Sequence, residues 1–337
     1  MTIEILSNGA LNLVQDLGRP DHVGIGVSSS GAMDVPALIL ANSMLGNPAD
    51  AAGIEISIFP FRLRFLEAAN FASAGASTTV AVRGRSWPSW WTAHADAGDI
   101  LTIEPPPDGG RVYLAMSGGI DVPCVLGSRS TDLKSGFGGF EGRGLLKGDR
   151  LSSLHGGLVG AASLPSRGIA PQTRIAFSDE LKRGTVTIRT MAGAELHRFN
   201  KQAIAAFTES DFRLTPDCNR QGYRLEGEVL ALDAKVELLS HGIVPGTIQV
   251  PPSGQPIIQM AEANTCGGYP KIATVIEADL WRLAQLRPGL RVRFTLVDQQ
   301  AALAAKRALD EELARFANAL AVAGVPAPAL LKHKEIP

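Results

Sequence analysis

The sequence is poor in charge and in cysteine, and each shortage excludes a class of protein. Only 19% of its 337 residues are charged, and 32 Lys and Arg nearly balance 33 Asp and Glu. A net charge near zero gives no electrostatic reason to expect nucleic acid or an anionic membrane as a partner. The three cysteines, Cys124, Cys218 and Cys266, are odd in number and far apart. Neither a disulfide framework nor a zinc site is therefore expected.

Patterns that direct a chain into or across a membrane are also lacking. No stretch reaches about 18 uninterrupted apolar residues. The opening residues MTIEILSNG include an acid and no basic start, unlike a secretory signal. We therefore expect a cytoplasmic protein. The six histidines do not stand at metal-ligand spacings, and no metal site is expected.

The common nucleotide and nucleophile motifs are missing. The glycine-rich run GFGGFEGRG at 136–144 has the spacing of neither a P-loop nor a dinucleotide-binding turn. No G-x-S-x-G elbow and no A-M-K-M biotin-attachment motif occurs. Any catalytic or binding function therefore depends on other residues.

Glycine and proline are abundant, which favours many short strands joined by tight turns. The chain has 36 glycines and 21 prolines, and both residues interrupt long helices. Three segments repeat a glycine turn followed by an alternating run: AGDILTI from Ala97, KGDRLSSL from Lys147 and PGLRVRFTL from Pro288. Such a recurring unit is typical of a barrel, and we predict an all-β protein with a few short helices.

Individual elements follow from the hydrophobic period. Period-2 alternation or β-branched content predicts strands at 2–6, 62–66, 78–82, 100–103, 111–116, 185–190, 236–239, 248–250 and 291–297. Helices are predicted at 34–47, 195–207, 277–286 and 298–322. The first of them has Asp34 as N-cap and Gly46 as a stop.

Two domains followed by a helix are predicted from the length and from a break in composition. With 337 residues and 45% hydrophobic content, the chain can build two cores. The strand TIEIL is echoed by TVTIRT at 185–190, after the Ser/Gly/Pro-rich passage HGGLVGAASLPSRGIAP at 155–171. Because such passages are typical of linkers, we place domains at 1–160 and 184–297, a helix at 298–322 and a frayed tail after Val325.

Two polar clusters are candidates for an anion-binding site. In 14–34, Gln15, Asp16, Arg19, Ser30 and Asp34 precede a predicted helix, whose N-terminus offers free N–H groups. The alternative is that Asp16 pairs locally with Arg19 while Asp34 only caps the helix. The second cluster, DCNRQGYRLEG at 217–227, contains Arg220, and its alternative is a salt-bridge lattice.

The third cluster follows a predicted hairpin, GTIQVPPSGQPIIQM, and contains Glu262, Thr265, Gly267, Gly268, Tyr269 and Lys271. Two adjacent glycines can adopt positive φ and aim successive N–H groups at an anion. Lys271 adds charge, and Tyr269 a ring and a hydroxyl. The alternative is a plain turn with Tyr269 packed on Pro270. Cys266 has no nearby base in sequence and is interpreted as a packing residue.

The clusters occur in ordered motifs that resemble a known family. VQDLGR, SGAMD, YLAMSGGI, GTIQVPPSG and GGYPKIATVI stand here in the order found in the family of biotin-dependent carboxyltransferases, which includes allophanate hydrolase subunit 2, KipA and the 5-oxoprolinase C subunit. The resemblance runs from about residue 3 to about residue 297. It implies two cyclophilin-like β-barrel domains.

The resemblance also implies a function and partners. It implies the C subunit of a hetero-oligomeric, ATP-dependent 5-oxoprolinase, which opens 5-oxoproline to glutamate. The partners are a smaller cyclophilin-like subunit, which is KipI-like and is the B subunit of 5-oxoprolinase, and a LamB/YcsF-type subunit. One alternative is a carboxyltransferase that acts on urea or a related amide with biotin on a partner chain. Another is a non-catalytic, KipA-like regulatory binding module.

Roles for the cluster residues follow as hypotheses. Glu262 or Asp16 is the expected general acid or base, and Lys271 and Arg19 are expected to bind a carboxylate or phosphate. Gly267 and Gly268 are expected to donate to an oxyanion. Further substrate contacts are expected from Gln15, Ser30, Asp34, Arg220, Thr265 and Tyr269. Residues 262–266 depart from the family pattern D-R-Q-T-T, and we expect them to set substrate preference.

Overall fold

The computed structural model describes residues 1–154, 164–234 and 237–325. Most of the predicted linker, Val236 and the predicted tail after Val325 lie outside these ranges. Within them, no helix has the length and apolar character needed to cross a membrane.

The N-terminal part, residues 1–154, contains twelve strands in two antiparallel sheets. The strands are β1 (Thr2–Ile5), β2 (Leu13–Gln15), β3 (Gly53–Ile56), β4 (Phe61–Phe65), β5 (Ala69–Gly75), β6 (Thr79–Val82), β7 (Arg85–Pro88), β8 (Trp91–Ala95), β9 (Ile100–Ile103), β10 (Val112–Met116), β11 (Ile120–Asp121) and β12 (Arg150–Ser153). The seven-stranded sheet has the order β11-β12-β1-β4-β9-β6-β7, and the five-stranded sheet the order β2-β3-β10-β5-β8.

The two sheets enclose one apolar core because their strands alternate. In β4, FRLRF, the side chains of Phe61, Leu63 and Phe65 are fully buried, whereas both arginines point outward. Residues of both sheets, such as Ile3 and Leu114, belong to the same cluster. This is the pattern expected for sheets with one covered face.

The C-terminal part, residues 172–325, is built around a closed barrel. Its strands are β13 (Thr185–Ala192), β14 (Asp211–Leu214), β15 (Gly222–Glu226), β16 (His241–Gly242), β17 (Thr247–Gln249), β18 (Ile257–Gln259), β19 (Cys266–Gly267), β20 (Lys271–Val275) and β21 (Arg291–Leu296). The barrel has the order β13-β20-β17-β18-β15-β14-β21 and closes through the parallel pair β13–β21. Strands β16 and β19 form a separate two-stranded sheet.

In the described ranges, five α-helices cover the sheets. They are α1 (Val35–Leu45), α2 (Gln172–Arg183), α3 (Lys201–Glu209), α4 (Leu280–Ala284) and α5 (Gln299–Val322), with 3-10 turns at Pro20–Ile25, Leu196–Arg198 and Glu277–Asp279. Helix α1 is buried on nearly all sides because it lies between the five-stranded sheet and α5. Its N-cap is Asp34, as predicted, and Gly46 follows it at φ 73°.

The structure confirms the all-β class with a few helices. The three glycine turns are confirmed as well, since Gly98, Gly148 and Gly289 have φ values of 90°, 96° and 94° and lead into β9, β12 and β21. Pairing of β17 with β18 confirms the predicted hairpin. The boundaries of the two domains stay predictions.

The structure differs from the predicted elements in three places. The predicted helix at 195–207 is a 3-10 turn at Leu196–Arg198 followed by α3 (Lys201–Glu209). Residues 237–239 lie in no strand. Helix α2 is not expected from the sequence, where 172–183 falls between the linker and the second domain. It packs against β13 and adds Phe177 and Leu181 to the barrel core.

Phe294→Ala should strongly destabilise the barrel. The Phe294 ring is fully buried and stacks on Phe207 with centroids 4.6 Å apart. Removing such a ring costs about 3–5 kcal/mol. Urea unfolding followed by circular dichroism measures the loss, with the exposed neighbour Thr295→Ala as control, expected within about 0.5 kcal/mol of wild type. A loss below about 1 kcal/mol for Phe294→Ala would contradict this packing.

Candidate active site

Asp16 anchors the loop at 124–132. Its carboxylate accepts hydrogen bonds from the hydroxyls of Ser128 at 2.6 Å and Ser130 at 2.5 Å, and from the Arg129 N–H at 2.5 Å. These three hydrogen bonds tie the Asp16 side chain to successive residues of the loop. The contacts describe a loop anchor, and the acid or base role of Asp16 stays a prediction.

Arg19 lies beside the same loop and is buried. Its Nη2 donates to the Ser130 carbonyl at 2.5 Å, and its guanidinium lies 4.8 Å from the centre of the Phe137 ring. Burial lowers the pKa of Arg19, against the opposing effect of the Asp16 carboxylate. Asp16 and Arg19 thus bond to the loop rather than to each other.

Gln15 and Ser30 connect this loop region to its surroundings. Gln15 Nε2 donates to the Thr131 carbonyl at 3.0 Å. The Ser30 N–H donates to the carbonyl of Ala261 in the C-terminal part at 2.9 Å. The first cluster therefore borders the segment that carries the third.

Asp34 occupies the N-terminus of α1 with its own carboxylate. Oδ1 accepts from the Ala37 N–H at 3.1 Å, and Arg174 forms a bidentate pair at 2.6 and 2.7 Å. Gln285 Nε2 donates to Oδ2 at 2.7 Å. This end of α1 is satisfied within the chain, in agreement with the capping alternative, and binding of substrate by Asp34 stays a prediction.

Arg220 joins the two parts of the chain. Its guanidinium donates to Glu55 at 2.6 Å, to Glu262 at 2.5 Å and to the Gly31 carbonyl at 2.6 Å. Glu55 lies in β3 and also accepts from the Tyr113 hydroxyl at 2.6 Å. All three charged side chains are buried.

This ion pair is fixed in its charged state. Burial alone would raise the pKa of Glu55, but the guanidinium groups of Arg220 and Arg111 lower it below its ordinary value. Burial alone would lower the pKa of Arg220, but Glu55 and Glu262 raise it. A proton-transfer role for Glu262 would require breaking its pair with Arg220, and that role stays a prediction.

Lys271 is the first residue of β20 and is only 5% exposed. Its Nζ donates to the carbonyl oxygens of Gly267 at 3.0 Å and Tyr269 at 3.5 Å. Burial lowers the pKa of Lys271, and the Glu195 carboxylate opposes this shift. The Lys271 amine is therefore hydrogen-bonded to uncharged carbonyl groups.

Four cations are buried among the described residues, and two of them lack a carboxylate partner. Arg111 and Arg220 have a carboxylate oxygen within 4.0 Å, whereas Arg19 and Lys271 have none in the ranges described. A buried charge without a counterion is costly. Arg19 and Lys271 are thus the buried cations best able to take an anionic ligand.

The expected conformation of the glycine pair is wrong. Neither Gly267 nor Gly268 has positive φ, and Gly267 pairs with His241 across β19 and β16. Glycine is needed here for close packing, since a Cβ on Gly267 would lie 2.6 Å from Ile243 Cδ1 and 2.8 Å from Gln249 Nε2. Binding of an anion by this pair stays a prediction.

Tyr269 and Thr265 flank the pair. Tyr269 is 48% exposed, and its contact with the Lys271 amine is made by its carbonyl oxygen. The Thr265 carbonyl accepts from the Ile243 N–H at 3.0 Å. Their roles as substrate contacts also stay predictions.

Two residues at Lys271 were missed from the sequence. His241 Nδ1 lies 3.3 Å from Lys271 Nζ, and His241 Nε2 lies 3.3 Å from Glu195 Oε1. Glu195 Oε2 also accepts from the Lys271 N–H at 2.9 Å. Because the three residues are far apart in the sequence, no local spacing links them.

A separate cavity of about 610 Å³ lies between α1, α5 and the segment 259–261. Its lining is mostly apolar and includes Met33, Ile39 and Trp281, with Ser30 at its wall. Lys271 is not among the lining residues. The charged centre at Lys271 and this cavity are therefore different places.

Comparison with known proteins decides the family. A family model described as carboxyltransferase domain, subdomain A and B, matches residues 25–296. The chain belongs to this carboxyltransferase-domain family. The match covers the barrel, most strands of the N-terminal part and all three clusters except Gln15, Asp16 and Arg19.

Relatives of this carboxyltransferase-domain protein include two bacterial subunits. It is 40% identical to the 5-oxoprolinase C subunit of Escherichia coli, over 90% of this chain and 94% of that one. It is 36% identical to the 5-oxoprolinase C subunit of Haemophilus influenzae, over 90% and 94%. The crystal structure of the K. lactis urea amidolyase is similar with a TM-score of 0.84 and 28% identity, over 94% of this chain and 20% of that one.

Arg220→Met should destabilise this carboxyltransferase-domain protein by about 3–5 kcal/mol, because Glu262 would remain as a buried charge without a cation and Glu55 would keep only Arg111. Urea unfolding measures the change. The matched control is Arg213→Met, since Arg213 pairs with Glu226 on the surface and should cost at most about 1 kcal/mol. Equal effects of the two substitutions would show that the buried pair does not hold the two parts together.

Lys271→Met should change the pH dependence of stability. Because the pKa of Lys271 is lowered, the folded state disfavours the charged amine, and this penalty fades as pH rises toward the ordinary lysine value of about 10.4. Wild type should therefore gain stability relative to Lys271→Met as pH rises from neutral toward about 10.4. Free energies of unfolding measured in urea across this range give the sign, and a difference that stays constant would contradict it.

Proposed function

We propose that the chain is the C subunit of a hetero-oligomeric, ATP-dependent 5-oxoprolinase, which opens 5-oxoproline to glutamate. The observation that carries the proposal is the 40% identity over 94% of the E. coli 5-oxoprolinase C subunit. In contrast, this chain covers 17% of a urea amidolyase relative. The similarity to the 5-oxoprolinase C subunit spans nearly the whole of both chains, and this favours the 5-oxoprolinase function.

The proposal includes partner subunits. Both bacterial relatives are named as subunits, which supports assembly with a smaller, KipI-like cyclophilin-like protein, the 5-oxoprolinase B subunit, and with a LamB/YcsF-type subunit. We place ATP at the level of this complex, and we expect the chain to be inactive without its partner.

Lys271 is the proposed centre of the substrate site. Its buried amine lacks a carboxylate partner among the described residues and can stabilise either the carboxylate of 5-oxoproline or the oxyanion formed when the lactam opens. Tyr269, a half-exposed residue whose carbonyl contacts the amine, is proposed as a further substrate contact. Glu262 and Arg220 are proposed to hold the two parts of the chain together, and Asp16 to hold the loop at 124–132.

A carboxyltransferase that uses biotin on a partner chain is the second candidate. The similarity to the K. lactis urea amidolyase, at a TM-score of 0.84, favours it. The same buried amine would then serve a urea-like amide.

The decisive assay is glutamate release from 5-oxoproline by the chain with its partner subunits, with and without ATP. Lys271→Met should reduce kcat by about 10²-fold or more, the loss expected when a group that stabilises an oxyanion is removed. The control is Lys201→Met, an exposed lysine of α3, which should leave the rate unchanged.

The other outcomes separate the alternatives. Bicarbonate fixation that avidin inhibits would replace the proposal with the carboxyltransferase. Absence of both activities in the assembled complex would leave a regulatory binding module and would refute an enzymatic role.

A further inference from the structure

Glu195, His241 and Lys271 form a row from a buried amine to the surface. The side chain of His241 is 41% exposed and that of Glu195 is 10% exposed. His241 stands between the other two, with each ring nitrogen 3.3 Å from its neighbour. The imidazole is therefore the member of the row that a ligand can reach.

The contacts of the imidazole allow two arrangements of its protons. With Nε2–H donated to Glu195, Nδ1 is free to accept a proton from the Lys271 ammonium. Once Nδ1 carries a proton, it can instead donate to the Leu239 carbonyl, which lies 3.1 Å away. Protonation of both bases would place two positive charges 3.3 Å apart, which Coulomb repulsion disfavours.

We infer that His241 and Lys271 form one proton-sharing pair oriented by Glu195, and that the exposed imidazole of His241 is a catalytic acid and base. Here the inference rests on the proposed lactam opening. The water oxygen bonds to the lactam carbonyl carbon, and the C–N bond breaks. The pair moves one water proton to the departing nitrogen, and the second proton stays with the new carboxyl group until that group ionises. Glu195 is a positioning residue, because it acts through His241.

The titratable residues Glu195 and Cys266 lie next to the His241–Lys271 pair. Glu195 is the carboxylate that acts on Lys271 through space. The Cys266 thiol belongs to the strand facing His241, where Cys266 lies opposite Gly242. Glu195 therefore supplies the negative charge that keeps one proton on the pair.

The tautomer of His241 tests the pair without any assay of activity. The ¹⁵N chemical shifts of histidine in the full chain at alkaline pH should show a proton on Nε2 and none on Nδ1. A neutral ring with its proton on Nδ1, donated to Leu239, would overturn the inference because Nδ1 could then accept nothing from Lys271.

Kinetics test the catalytic role in the assembled complex. His241→Gln should lower kcat by about 10²–10⁴-fold, the range for loss of an acid or base, with little change in KM. Added imidazole should partly restore His241→Ala. His197→Gln, at an exposed histidine of the neighbouring 3-10 turn, should match wild type.

A wild-type kcat for His241→Gln would overturn the catalytic role. If the wild-type complex itself fails to open 5-oxoproline, the proposed function fails instead. The tautomer measurement would still decide whether the pair exists.

Discussion

A buried guanidinium bonds the two parts of this protein to each other, alongside the contacts of Asp34 with Arg174 and Gln285. Arg220 from the barrel lies between Glu55 of the N-terminal part and Glu262 of the segment before β19. Burying three charges is costly, and the pair offsets this cost only because its hydrogen bonds are short and complete. Other hydrogen bonds between the two parts, such as that from the Ser30 N–H to the Ala261 carbonyl, lie next to this ion pair.

The segment at 262–271 connects the Arg220 ion pair to the proposed active site. It begins at the buried Glu262, passes Asn264, whose side chain accepts from Lys134 of the N-terminal part at 2.5 Å, and ends at Lys271. One end of the segment is therefore held by a satisfied ion pair, and the other presents a cation without a counterion among the described residues. Glu262 at one end of this segment therefore has a structural role, and Lys271 at the other end has the proposed chemical role.

How far the sequence predicts this structure depends on the range of the interactions. The turns at Gly98 and Gly289 and the cap at Asp34 were predictable because each includes a hydrogen bond between residues three apart, from the N–H of Asp99, Leu290 and Ala37 respectively. Helix α2 was missed because only Phe177 and Leu181 of its residues are buried, too few to give a clear period.

The candidate site follows the same rule. Lys271 could be selected from its motif, whereas Glu195 and His241 could not, because strand pairing alone brings them to it. The glycine pair was selected from the sequence for its ability to adopt positive φ, which is the wrong backbone conformation. Side-chain packing, rather than a positive φ, requires it.

We propose that the functional site is the Lys271 centre and not the buried ion pair at Arg220. A crystal structure of the assembled complex with 5-oxoproline tests it directly. We expect the lactam to lie within hydrogen-bonding distance of Lys271 or His241, with the Arg220 ion pair unchanged. A lactam bound at Arg220 or Glu262, with that ion pair opened, would contradict it.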